Sequence, residues 1–225
     1  MNRTSLRDRI LPSYTRGEEV FNMVTHIVGA AIGVAVLVLC IIKGALNHNG
    51  YDIASGIVYG ISMILLFTMS SIYHGITENH KTAKKVFQIM DHCTIFILIA
   101  GTYTPILLSG IMKYDPKWAW ILFGVIWGTT IIGIVLNAID IKKFSKLSMF
   151  LYLIMGWCIV FKINLLPPAI GRGGIILLVS GGICYTIGTI FYGLQKKMKY
   201  MHSIWHIWII FGAVLHALCV LIFVL

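Results

Sequence analysis

Charge is scarce in this chain: only 12% of its 225 residues are Asp, Glu, Lys or Arg, and only eight are acidic. A surface built from so few charges is not that of an ordinary water-soluble domain, and it is the opposite of a disordered segment. Cysteine pairing is also missing. Cys40, Cys93, Cys158, Cys184 and Cys219 fall singly within apolar runs with no CxxC spacing, which excludes a disulfide framework and a thiolate metal site. No run alternates apolar and polar residues, so a closed β-barrel is rejected. Connecting segments never exceed about a dozen residues, which leaves no room for an attached soluble domain. The N-terminal segment has arginines but no short apolar core ahead of a small-residue cleavage site, so it reads as a retained segment and not a removed signal.

What the chain does have is long apolar blocks: 58% of its residues are hydrophobic and its mean hydropathy is +0.88. The blocks run over 24–43, 54–76, 89–109, 118–137, 148–166, 173–194 and 203–225. Each has about 20 residues, the length that crosses a hydrocarbon layer of about 30 Å as an α-helix. The sequence therefore predicts an all-α integral membrane protein, a seven-transmembrane helix bundle, with residues 1–23 forming an N-terminal segment and 24–225 a single domain.

The net charge of +10 is topological in origin. Arg3, Arg7, Arg9 and Arg16 precede the first block, and Lys81, Lys84 and Lys85 lie between the second and third. Lys142, Lys143 and Lys146 lie between the fourth and fifth, and Lys196, Lys197 and Lys199 between the sixth and seventh. Together they make 13 of the 18 cations. The other side has Lys43, Lys113, Lys117 and Arg172, with Lys162 near the end of the fifth block. By the positive-inside rule the N-terminus is cytoplasmic and the C-terminus extracytoplasmic. An anionic leaflet is a sufficient partner for the charge, so membrane lipids are expected as partners and nucleic acid is not.

Small residues mark helix packing. Gly29/Gly33, Gly56/Gly60 and Gly124/Gly128 each form a GxxxG pair, which lets backbones approach closely. In a bundle of this size the commoner use is packing within the chain; a homo-oligomer is compatible with the pairs but not indicated. Pro105, after Thr104, removes one backbone donor and predicts a bend in the third block.

The informative polar residues gather at one depth. His202 and His206 stand four apart at the start of the last block, hence on one helical face and suited to shared metal coordination. Ser70 and His74 repeat that spacing at the end of the second block. Asp91, at the start of the third, is the one carboxylate of the chain close to a membrane core. The orientation derived from the cations brings all three block ends to the cytoplasmic face. An ionisable group at that depth is a functional candidate. Three imidazoles, His74, His202 and His206, with a fourth position left to water make an open zinc site of the catalytic kind, with Asp91 and Ser70 placed to hydrogen-bond that water. A salt bridge from Asp91 to Lys84, Lys85 or Lys199 is the alternative. Glu19, Asn22 and His26, at i, i+3 and i+7, share one face of the first helix, either supporting this site from behind or capping the helix end. His216 lies about 21 Å deeper than His202 at 1.5 Å per residue, so it does not share the ion.

As an ordered set these residues carry a resemblance. Glu19-x-x-Asn22-x-x-x-His26, Ser70-x-x-x-His74, Asp91-His92 leading to Ala100-Gly101-Thr102-Tyr103-Thr104-Pro105, and His202-x-x-x-His206 with the later His216 together resemble the bacterial hemolysin III family. That family lies within the progestin and adipoQ receptor superfamily and is related to the alkaline ceramidases. The resemblance runs from Glu19 to His216. It implies a cytoplasmic-side zinc site with His74, His202 and His206 as ligands, Asp91 and Ser70 beside the water, and lipid-amide hydrolysis in the plasma membrane of a bacterium. The chain departs from the adiponectin receptors in lacking a long N-terminal domain and in placing His92 after the acid, where they carry a tyrosine.

Three functional classes follow. The first is a zinc-dependent membrane hydrolase acting on a lipid amide or ester, or serving membrane lipid homeostasis. The second is the pore-forming cytolysin that the family name suggests, against which stand seven apolar blocks and no export signal. The third is a non-catalytic sensor or regulator of the membrane in which zinc is structural.

Overall fold

The structure, a computed structural model, describes residues 4–225; Arg3 and the Glu78 side chain lie outside the described residues. Among the described residues the regular elements are helical throughout. They are α1 (Arg16–Leu46), α2 (Gly50–Gly75), α3 (Lys81–Pro105), α4 (Pro116–Trp157), α5 (Leu166–Leu194) and α6 (Met201–Cys219), with short 3-10 and π segments between or after them.

Thr15 opens α1 with a capping box: its hydroxyl accepts the Glu18 N–H, and the Glu18 carboxylate accepts the Thr15 N–H at 2.8 Å. The capping role at this helix end thus belongs to Glu18, which frees its neighbour Glu19. Asn49 caps α2 and Asp115 caps α4, whose first residue is Pro116, where a missing N–H removes no helical bond. Pro105 ends α3. The chain continues through a π-helical turn, Ile106–Gly110, and a 3-10 turn, Ile111–Lys113, because the proline leaves one carbonyl of the ladder without its donor.

Five helical stretches are long and apolar enough to cross a membrane, where the sequence predicts seven. The difference lies between Pro116 and Leu194, a 79-residue stretch that contains the predicted blocks 118–137, 148–166 and 173–194. Helical hydrogen bonding runs through it almost without a gap, but the backbone leaves helical angles at Asp140 (φ −160°, ψ 94°), Lys162 (φ −132°, ψ 35°) and Gly171 (φ 62°, ψ 179°). Asp140 accepts the N–H groups of Lys142 and Lys143 at 3.1 and 3.0 Å, an N-cap that starts a new helix with no loop. Gly171 takes a positive φ that only glycine adopts at no steric cost.

Packing follows chain order, α1 on α2, α2 on α3 and α3 on α4, with α5 on α6 and α6 returning to α1. Gly33 and Gly60 show how α1 and α2 meet: a Cβ on Gly60 would stand 2.6 Å from Leu37 Cα, and one on Gly33 3.1 Å from Ile64 N. Gly124 and Gly128 differ. Among the described residues nothing stands within 4 Å of a Cβ at either, so this third pair makes no close helix contact there. The outer surface is apolar, with Ile131, Ile176, Ile190 and Phe211 all more than half exposed, as a lipid-facing surface requires.

Candidate metal centre

Two turns of α6 and the last turn of α2 bring three imidazoles together. His74, His202 and His206 each offer one nitrogen, these nitrogens all lie within 4.8 Å of one another, and all three residues are buried. Nε2 of His202 and Nε2 of His206 are 3.1 Å apart. Three nitrogens about a zinc ion at about 2.0–2.1 Å stand roughly 3.3 Å from each other, the separation that His202 and His206 already show.

The orientation of His74 comes from α1. Glu19 Oε2 lies 2.5 Å from His74 Nδ1, and because a carboxylate only accepts, Nδ1 donates to it and Nε2 is the nitrogen left for the site. That Nε2 is buried without a hydrogen-bond partner, as is Nδ1 of His202. Buried imidazole nitrogens without hydrogen-bond partners, set beside one another, fit a metal-ligand set. The other Glu19 oxygen accepts Lys84 Nζ at 2.6 Å, and Lys84 is 2% exposed, so the carboxylate links an ammonium and an imidazole in one chain across α1, α3 and α2.

Asn22 and His26 complete the α1 face. His26 stacks on His206 with ring centroids 3.7 Å apart and planes at 16°, and meets Phe67 edge-on. Its two ring nitrogens, both polar atoms of Asn22, Ser70 Oγ and Ser203 Oγ are buried without hydrogen-bond partners. The N-terminal segment covers the group from outside. The Tyr14 ring lies 4.9 Å from that of His202 and 5.7 Å from that of His74, and its hydroxyl donates to Gln195 Oε1 at 2.9 Å. Burial pushes the Tyr14 phenol above the ordinary tyrosine value, so it stays neutral and keeps that donor.

Asp91 does not join the three imidazoles as a ligand. Its Oδ2 sits 3.7 Å from His92 Nδ1, and it lines a cavity of about 130 Å³ together with His26, Ser70, His202 and His206. His92 donates from Nδ1 to the Gln88 carbonyl at 2.9 Å and accepts at Nε2 from Tyr192. Beyond the polar end the cavity is walled by Ile95, Leu98, Ile99, Val160, Ile163 and Leu178, and reaches down to His216. His216 is held there by the Leu178 carbonyl at 3.0 Å, a satisfied core histidine. Val160 and Ile163 are also half exposed on the outer face, so the cavity wall and the molecular surface share side chains.

Lys84 and Tyr14 are the site residues that spacing did not reveal. Lys84 had a signal, since Lys84, Gln88 and Asp91 recur at i, i+4 and i+7 on α3. Tyr14 had none; it precedes α1, and the groups it touches lie 60 to 188 residues away.

Comparison with known proteins supplies the family. The model of the family described as Haemolysin-III related matches residues 14–217. The chain belongs to that family. The Hemolysin-3 homolog of Bacillus subtilis is 38% identical over 210 residues, covering 93% of this chain and 96% of its relative. Hemolysin-3 of Bacillus cereus is 38% identical over 208 residues, 92% of each chain. The Monocyte to macrophage differentiation factor of Homo sapiens is 25% identical over 206 residues, 88% of this haemolysin-III chain and 81% of its own, and relatives of this type place the family in the progestin and adipoQ receptor superfamily. The matched region begins at Tyr14, the residue that covers the histidines.

Proposed function

We propose that this haemolysin-III protein binds zinc at His74, His202 and His206 and hydrolyses a lipid amide or ester in the bacterial plasma membrane. The observation that carries the reading is one cavity, apolar over most of its length, whose polar end is lined by His202 and His206 of the three-imidazole group, by Asp91 and by the unpartnered Ser70 hydroxyl. Imidazole ligands with few oxygens favour zinc over magnesium or calcium. The cation distribution supports seven spans with the histidine end in the cytoplasm, and the backbone breaks at Asp140, Lys162 and Gly171 support dividing the Pro116–Leu194 stretch into three.

An ion with three imidazole ligands and an open fourth position supplies Lewis acidity to a carbonyl held there. The protein's own groups do the rest. The apolar wall from Ile95 to Leu178 binds an acyl chain and excludes water. Asp91 takes the proton of the water that attacks the carbonyl and returns it to the leaving amine or alcohol. Ser70 Oγ donates to the substrate or to that water, and Glu19 holds His74 in one tautomer.

A second reading, a regulator with a structural ion, is favoured by one feature: the site fastens α1, α2 and α6 to each other. Zinc stoichiometry and turnover of a panel of ceramides and other acyl lipids, on wild type, His202→Ala and Asp91→Ala, separate the two. Zinc kept in Asp91→Ala with turnover lost supports catalysis. Zinc bound with no turnover on any lipid supports the regulator, and no zinc in the wild type overturns both. Dye release from liposomes at low protein-to-lipid ratio tests the pore-forming alternative.

A further inference from the structure

The twelve residues before α1 do not leave the bundle. Thr4 N–H donates to Asp140 Oδ2 at 2.8 Å, the Arg7 carbonyl accepts Lys85 Nζ at 2.7 Å, and Arg9 is 4% exposed. Tyr14 is tied to Gln195 at the end of α5, and Glu18, just beyond it, accepts the N–H of Tyr200 at 2.6 Å at the start of α6. The segment therefore crosses the histidine end of the bundle, fastened to α3, to the α4 corner, to α5 and to the turn before α6. Its one aromatic side chain is set over the site. Tyr14 is partly exposed where His74 and His202 beneath it are buried, so the phenol ring stands between those imidazoles and the outside. On the other side of the imidazoles lies the apolar cavity, whose wall reaches the outer face at Val160 and Ile163.

We infer that Tyr14 is a specificity-determining seal: it closes the water-facing side of the three-histidine site to solutes larger than water, so that a substrate reaches the site only along the apolar cavity and the site takes molecules with an acyl chain delivered from the bilayer. The inference rests on the proposed lipid substrate, but the seal itself is a property of the side chains and is read without metal or turnover. A ring of this size is needed. Alanine at position 14 leaves a channel to His202, whereas phenylalanine keeps the cover and loses only the bond to Gln195.

The test uses the full chain in phospholipid nanodiscs, stripped of metal, with diethylpyrocarbonate as the water-borne probe and peptide mass spectrometry to read each histidine. In the wild type, His74 and His202 should be modified far more slowly than exposed His48. Tyr14→Ala should raise the rates at His74 and His202 by about tenfold or more, the mark of a local opening, and Tyr14→Phe should leave them near the wild-type values. Cys40, wholly buried between α1 and α2, serves as the control for general loosening and should stay unreactive to a thiol reagent in every variant. Equal rates in Tyr14→Ala and wild type, wild-type His202 as reactive as His48, or Cys40 reacting in Tyr14→Ala would each overturn the seal. A seal that holds in a protein with no zinc or no lipid turnover overturns the proposed function alone.

Discussion

Glu19 Oε2 and His74 Nδ1 stand 2.5 Å apart, a carboxylate from α1 holding an imidazole of α2 so that its other nitrogen faces His202 and His206. Such a partner fixes both the ring and the tautomer, and its loss typically weakens a metal site without abolishing it. Glu19→Gln should therefore retain a 1:1 zinc stoichiometry at saturation while its affinity, measured by competition with a chromogenic chelator, falls by about 10–100-fold. Unchanged affinity would mean that the contact only packs the two helices.

Lys84 makes the same carboxylate part of an ion pair in which the ammonium is 2% exposed and the carboxylate 16%. Removing one partner leaves the other without its counter-charge, so Lys84→Met should destabilise the protein by about 3 kcal/mol, the low end for a buried pair because Glu19 keeps some water. Combining it with Glu19→Gln should cost less than the sum, by a coupling of about 0.5–3 kcal/mol. Additive effects in denaturation of the three variants in detergent would show that the pair does not act as a unit.

Metal should also hold the bundle together, because its ligands come from helices far apart in the chain. Zinc at about 100 times its dissociation constant should stabilise the fold by about 2.7 kcal/mol, and a chelator should lower the melting temperature accordingly. The shift should vanish in His206→Ala. A chelator-induced shift of equal size in that variant would place the ion elsewhere.

Asp91 lines the cavity without joining the imidazole group, which separates its role from theirs. Asp91→Asn keeps the shape and removes the base, so zinc content should remain and the rate constant on a hydrolysed lipid should drop by about 10²–10⁴-fold. Parallel loss of zinc would instead make Asp91 a ligand.

Two glycine pairs with the same spacing should respond in opposite ways. Gly60→Ala drives a methyl against Leu37 Cα and should destabilise by about 1–3 kcal/mol, whereas Gly128→Ala meets nothing within 4 Å and should be neutral or slightly stabilising. Thermal denaturation in a mild detergent reads both. A large loss from Gly128→Ala would reveal a contact made outside the single chain.

The sequence was most legible where chemistry depends on neighbours along one helix. The four-residue spacing of His202/His206 and of Ser70/His74 needs only helical geometry; His202, His206 and Ser70 line the cavity's polar end, and His74 joins the two α6 imidazoles. The face shared by Glu19, Asn22 and His26 was legible for the same reason. Spacing left its use open between capping and site support: Glu18 makes the cap, Glu19 reaches His74, and His26 stacks on His206. The seven apolar blocks were legible by length, but the joining of the three between Pro116 and Leu194 was not. It turns on Asp140 capping the next helix directly, a matter of two backbone angles that composition does not encode.

Composition, block length and helical periodicity by themselves determined an all-helical membrane chain in which His202 and His206, and Ser70 and His74, stand one turn apart on their helices, since each follows from the bilayer's thickness and the 3.6-residue turn. Only the tertiary structure decided that Lys84 pairs with Glu19, that Asp91 stands on the cavity wall and not among the imidazoles, and that Tyr14 covers the site. These are contacts between side chains tens to nearly two hundred residues apart. They exist because helices pack at particular rotations and crossings, and no local spacing carries that information.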